Sequence, residues 1–205
     1  MGEGVFDWLY GVITRPVEAL RAVAERKPVG WALVIVIGAW VLSLAAGLSQ
    51  ADFSVLERVG FEDALSSALG VLVTLGIILA AVVYLAGLAI LHLSARLFGG
   101  KGTFAALFCA LGFAEFPMVL SVPLAVLGRI GGPGIDALSS VASLGLTLWV
   151  VVLSVIALRE AHKLPTGTAI GAYVLAIVVP FVALAGLVFL MIMLIATLGA
   201  AFSTM

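Results

Sequence analysis

Glu115 is an acid inside a long apolar run from Thr103 to Leu127, and Pro117 and Pro123 follow it in the same run. A charge at mid-bilayer costs roughly 2.5–3.5 kcal/mol on insertion scales, so such a group is expected to face other helices and to find a partner. Two chemistries suit it. One is an ion or proton site. The other is structural: a neutral carboxyl donating across helices or to a freed carbonyl. Proline supplies such acceptors, because Pro117 frees the carbonyl of Phe113 and Pro123 that of Val119. Pro180 is expected to kink a later run in the same way. His92 is the second candidate, one helical turn before Arg96. An imidazole needs a partner to act as a switch near neutral pH. A Glu115–His92 pair requires their two runs to lie side by side. His162 is expected in a loop. With one cysteine and no Cys/His cluster, no metal site is expected, and nothing implies a cofactor.

Gly99-Gly100-Lys101-Gly102-Thr103 superficially suggests a phosphate loop. It fails the pattern, because the spacing of glycine before Gly-Lys-Ser/Thr is wrong and no strand precedes it. Gly-x-Ser-x-Gly and His-Glu-x-x-His motifs are also missing. Serine and threonine inside apolar runs read as interhelical hydrogen-bonding groups. The chain therefore carries no visible enzyme chemistry.

The elements that position these residues must be membrane helices. Of the 205 residues, 64% are hydrophobic and 10% charged, against about 45–50% and 25% in soluble proteins. Mean hydropathy is +1.32. A net charge of −1 argues against nucleic-acid binding. A helix needs roughly 20 apolar residues to cross the hydrocarbon. Five runs qualify: about 29–48, 64–94, 103–127, 137–158 and 168–199. The expected fold is all-α, a five-helix transmembrane domain over 29–205. Gly99–Gly102, Gly131-Gly132-Pro133-Gly134 and Leu164-Pro165-Thr166-Gly167 are read as the connections. Ala106, Ala110 and Ala114 recur every four residues and permit close helix approach, either within the bundle or in a homo-oligomer.

Basic residues set a direction. Arg15, Arg21, Arg26 and Lys27 precede the first run, Arg96 and Lys101 flank the second loop, and Arg159 and Lys163 flank the fourth. That is eight of the ten Lys and Arg on one side, with Arg58 and Arg129 on the other. The positive-inside rule puts the N-terminus in the cytoplasm, and five crossings put the C-terminus outside the cell (inner) membrane. Residues 1–28 form an amphipathic segment. Pro16 suits a first helical turn, and Val17, Leu20, Val23 and Ala24 share a face. Val5, Phe6, Trp8, Leu9, Val12 and Ile13 make a second apolar set. The segment is either an interfacial helix pair on the inner leaflet or a cap packed on the bundle. No short apolar run leads into a cleavage site, so no signal peptide is expected.

The order of motifs has a family likeness. Arg15-Pro16-Val17-Glu18-Ala19-Leu20 comes first, then Trp31 opening the first run. Leu97-Phe98-Gly99-Gly100-Lys101-Gly102-Thr103-Phe104 follows, and then Gly112-Phe113-Ala114-Glu115-Phe116-Pro117. Last is Leu158-Arg159-Glu160-Ala161-His162-Lys163-Leu164. The chain resembles the prokaryotic branch of the Yip (Ypt-interacting protein) membrane proteins along nearly its whole length. Five spans with the N-terminus inside fit that likeness. The resemblance implies a non-enzymatic protein. Its eukaryotic members are trafficking factors that bind prenylated Rab-type GTPases and associate with one another. Those members carry an Asp-Leu-Tyr-Gly-Pro-like stretch before the first span. Arg26-Lys27-Pro28-Val29-Gly30-Trp31 stands here instead, a departure that argues against GTPase binding.

Two functions are then expected to compete. One is membrane organisation or partner recruitment, with the basic cytoplasmic residues as the recognition surface and the bilayer, another membrane protein or a second copy as partner. The other is a small ion, proton or solute transporter or channel that uses Glu115, with His92 as its companion.

Overall fold

The computed structural model describes residues 4–50 and 62–203. These residues form helices and short connections with no strand among them. Two short helices come first, α1 (Val5–Thr14) and α2 (Pro16–Arg26). They lead into α3 (Val29–Gln50), whose 22 residues rise about 33 Å. Then come α4 (Glu62–Leu97) and α5 (Phe104–Ala114), a 3₁₀ turn (Phe116–Leu120), α6 (Ser121–Ile130), α7 (Gly132–His162) and α8 (Thr166–Ser203). Among the described residues, four stretches are long and apolar enough to cross a membrane, Gly70–Leu97, Phe104–Ile130, Gly132–His162 and Thr166–Met193, and Val29–Ala45 is a shorter apolar helix. Arg58, the outer base expected between the first two runs, lies outside the described residues.

At the centre stands α5. Every residue from Ala106 to Ala114 is buried, and α2, α3 and α7 pack around it. The alanine stripe explains how three helices come so close, since small side chains let backbones approach. Gly112 acts the same way toward α3: a Cβ there would stand 3.2 Å from Val36 and 3.4 Å from Ala32. Thr103 caps α5, accepting from the Ala106 N–H at 3.3 Å, as its β-region backbone and hydroxyl permit. On the other flank, α8 leans on both α4 and α7.

The third run differs from the single helix expected of it. It is broken at Glu115, where α5 ends and a 3₁₀ turn begins with Pro117 in its first residues. Pro117 cannot donate and its ring crowds the preceding turn, so the α-helical ladder stops there. Pro123 then falls in the first turn of α6, where its missing N–H removes no helical bond, and the chain is helical from Ser121 onward. Helix α8 is continuous through Pro180.

Of the expected Gly131–Gly134 loop, only Gly131 lies between helices. α7 already begins at Gly132, with Pro133 in its first turn. The fourth run is accordingly longer than its uncharged core, reaching His162. The reading of His162 as a loop residue is corrected: it is the last residue of α7 and fully buried. Charged residues at a helix end still complete its last turn, which an uncharged-run criterion cuts off too early.

Both N-terminal helices pack on the bundle. α2 lays Ala19, Leu20, Val23 and Ala24 against α5 and α7. Burying a Leu or Val side chain contributes roughly 1.5–3 kcal/mol, enough to hold an 11-residue helix that would be marginal alone. α1 packs on α2, with Val12 fully buried and the Trp8 ring edge-on to Phe113 at 5.9 Å. Its other side leaves Phe6, Tyr10 and Ile13 exposed, at 81%, 71% and 49%. α2 is thus packed on the bundle, and an exposed apolar face is left on α1.

Candidate functional site: the basic end and the intramembrane groove

The Gly99–Gly102 loop closes one end of the bundle. Gly99 has φ +85°, the Gly99 N–H bonds the Arg96 carbonyl at 3.0 Å, and the Gly100 N–H bonds that of Ala95 at 2.8 Å. This two-bond pattern satisfies the last carbonyls of α4, and the left-handed residue that it needs is glycine's natural place. The loop then runs against the end of α7. The Lys101 N–H donates to the His162 carbonyl at 3.1 Å. A Cβ on Gly102 would fall inside the Ala161 carbonyl, and one on Gly100 would stand 2.9 Å from the His162 ring. Three glycines in four residues therefore meet three separate demands: one a backbone angle and two close approaches.

Under this loop the two histidines meet. His92 Nδ1 and His162 Nε2 are 3.0 Å apart, so one ring donates and the other accepts across a single proton. Phe104 stands edge-on to His92 at 5.9 Å. The Glu115–His92 pair that adjacent runs would allow is not what forms: His92 meets His162. The two histidines come from helices 70 residues apart in sequence, and local spacing carries no signal for such a meeting. Among the described residues, no three His, Cys, Asp or Glu side chains gather at metal-binding distance.

Around the same end lie the basic residues. Arg21 Nε donates to Glu160 Oε2 at 2.8 Å, and Arg159 holds Glu160 Oε1 through Nε and Nη2 at 2.8 and 2.6 Å. Glu160 thus ties α2 to α7, a role that sequence alone does not reveal. Glu160 beside Arg21 holds that guanidinium above the usual arginine range. Arg159 also reaches the Thr166 hydroxyl at 3.1 Å, joining α7 to the start of α8. Two clefts open here, of about 400 and 310 Å³. Arg21, Arg159 and Lys163 line the first, and Lys27, Lys101 and Lys163 the second, with Glu25 and Glu160 in both. Arg26 lies over the Trp8 ring at 5.8 Å. Arg15 stands between α1 and α2, and Arg96 is exposed in the last turn of α4.

Glu115 is elsewhere. Its carboxyl opens on a separate groove with Tyr84 of α4, Ser154 of α7 and Tyr173 of α8. Tyr84 is clamped edge-on between Trp40 and Phe108, at 5.4 and 6.5 Å. Nothing in the sequence singles out these hydroxyl residues. A tyrosine in an apolar helix looks like bulk until its neighbours are known.

Long apolar helices, a buried central helix stapled by small residues and a charged cap at one end define a multispan α-helical membrane protein. The model of the Yip1 domain matches residues 10–190. The chain belongs to the Yip1 family, a non-enzymatic family of membrane proteins. No curated protein and no solved structure matches it significantly.

Proposed function

We propose that the protein spans the cell (inner) membrane five times, with its N-terminus in the cytoplasm and its C-terminus outside, and recruits a partner or organises membrane at its cytoplasmic face. Its place is in the prokaryotic branch, which the loop at 99–102 and the stretch at 112–117 support. The observation that carries the reading is the docking of α2 on α5 and α7, which gathers Arg21, Lys27, Lys101, Arg159 and Lys163 around two adjoining clefts. The distribution of Lys and Arg supports the orientation. The exposed Phe6, Tyr10 and Ile13 on α1 suit the surface of the inner leaflet. Acidic or anionic groups are the chemistry such clefts favour.

Two measurements test it. Reporters fused at each terminus should report the N-terminus inside and the C-terminus outside; a C-terminus inside sinks the five-span topology. Cross-linking in native membranes should recover partners from the wild type and lose them when Lys27, Lys101 and Lys163 are changed together to glutamate, with insertion intact. Recovery of the same partners from the triple variant would remove this surface. Ion or proton flux in proteoliposomes that vanishes with Glu115→Gln would replace recruitment by transport.

A further inference from the structure

Four polar side chains from four segments meet in the apolar part of the bundle; Tyr173 pairs with Ser154, and Glu115 and Tyr84 are left over. Glu115 ends α5, Tyr84 comes from α4, Ser154 from α7 and Tyr173 from α8, and all four line one open groove of about 220 Å³. Ser154 spends its proton on the Val150 carbonyl, at 2.8 Å. The Tyr84 hydroxyl is buried with no hydrogen-bond partner. Among the described residues, no hydrogen bond reaches the Glu115 carboxyl. Unsatisfied polar groups at this level are costly, since hydrocarbon offers them nothing. The level follows from helix geometry. Glu115 is eleven residues below Phe104, about 16 Å along the axis, and half the hydrocarbon thickness is about 15 Å.

The groove also has an entrance. Gly87 lines it on an exposed face of α4, and a Cβ there would meet nothing within 4 Å. The neighbouring Val83 is 62% exposed. In a bilayer that face looks onto acyl chains.

We propose that this groove binds the hydroxyl head of an uncharged membrane amphiphile, a long-chain alcohol or diacylglycerol, with its tail in the surrounding lipid. A hydroxyl fits because it both donates and accepts: it donates to Glu115 and accepts from Tyr84. A ketone or ether head only accepts, and so leaves an acceptor oxygen of Glu115 without a donor. A charged head is expensive to bring to mid-bilayer. The inference rests on the membrane-spanning reading of α4, α5, α7 and α8, and is independent of recruitment at the basic end.

The test uses the full chain in proteoliposomes, with resistance to alkaline extraction showing first that it is inserted. A diazirine-bearing long-chain alcohol and its methyl ether are photo-activated in parallel, and labelled peptides are mapped. Saturable labelling around Tyr84 and Leu111 is expected for the alcohol, at least tenfold above the ether. Unlabelled long-chain alcohol and unlabelled diacylglycerol are then compared as competitors, and the stronger one identifies the natural source of the head. Gly87→Leu should fill the groove and abolish labelling at an unchanged elution volume. Tyr84→Phe keeps the ring contacts with Trp40 and Phe108 and should weaken binding about fivefold, the scale of one lost hydrogen bond. Equal labelling by alcohol and ether, or labelling unchanged in both variants, overturns the proposal. Proton or ion flux that depends on Glu115 also overturns it, and assigns the groove to an ion path.

Discussion

The basic end of the bundle and its apolar flank are built by different rules. At the basic end, backbone meets backbone: Gly102 lies against the Ala161 carbonyl and the Lys101 N–H on the His162 carbonyl, with Gly100 against the His162 ring. More than half of the most apolar stretch of Phe104–Ile130 is buried in the bundle, whereas none of that stretch of α8 is. Phe181, Val182, Phe189 and Leu190 of α8 are more than 60% exposed, among the largest apolar surfaces on the chain. Lipid is as apolar as these side chains, so nothing drives them together, and association depends on small residues, close packing and hydrogen bonds instead. Contact was therefore placed where glycine, alanine and polar groups stand, and the flank was left to the solvent it was made for.

Breaking the basic end should cost far more than altering the flank. Gly102→Ala puts a methyl into the Ala161 carbonyl, and overpacking against backbone should destabilise by about 3 kcal/mol or more. Gly87→Ala, with open space around it, should stay within about 0.5 kcal/mol. Thermal unfolding in detergent compares the two, and similar melting temperatures would dissolve the contrast. Leu20→Ala removes a fully buried side chain under α2 and should cost about 3 kcal/mol. Limited proteolysis should then cut the first 28 residues faster, while Leu184→Ala on the exposed face of α8 leaves the digestion unchanged.

Smaller effects sharpen the same boundary. His92→Phe strips His162 of its hydrogen-bond partner inside a buried end and should cost about 1–2 kcal/mol. A His92→Phe, His162→Phe double variant should recover part of that loss, because both partners are then apolar. A double variant no more stable than the single one would show that the pair is not a unit. Arg21→Ala breaks the α2–α7 ion pair, whose arginine side chain is 57% exposed, and should lower the melting temperature least of these variants. Added salt should shrink that difference further, and a salt-independent loss would mean that Arg21 acts through packing instead.

Much of this fold is readable along the chain. The apolar runs marked the long helices to within a few residues at most ends, because hydropathy is a property of consecutive positions. The Gly99–Gly102 turn was legible for the same reason: its chemistry acts within four residues of itself. The break at Glu115 was half legible. Pro117 marked the place, but the sequence pointed to a kinked helix where a 3₁₀ turn forms. His162 was misread because a charged, polar stretch at the end of an apolar run looks like a loop, although it is the final turn of α7.

The partners of the polar groups were out of reach. Glu115 and His92 were picked out because an ionisable residue in an apolar run stands out in any sequence. That His92 turns to His162, that Glu160 joins α2 to α7, and that Glu115 shares a groove with two tyrosines depends on how each helix is rotated and where it crosses its neighbours. A rotation of one residue, about 100° of helix, would point each of these side chains elsewhere. Solvent class, element boundaries and turn chemistry are local, and the sequence alone determined them. Tertiary structure decided which buried polar groups meet, because only the packing of small residues across helices sets those angles.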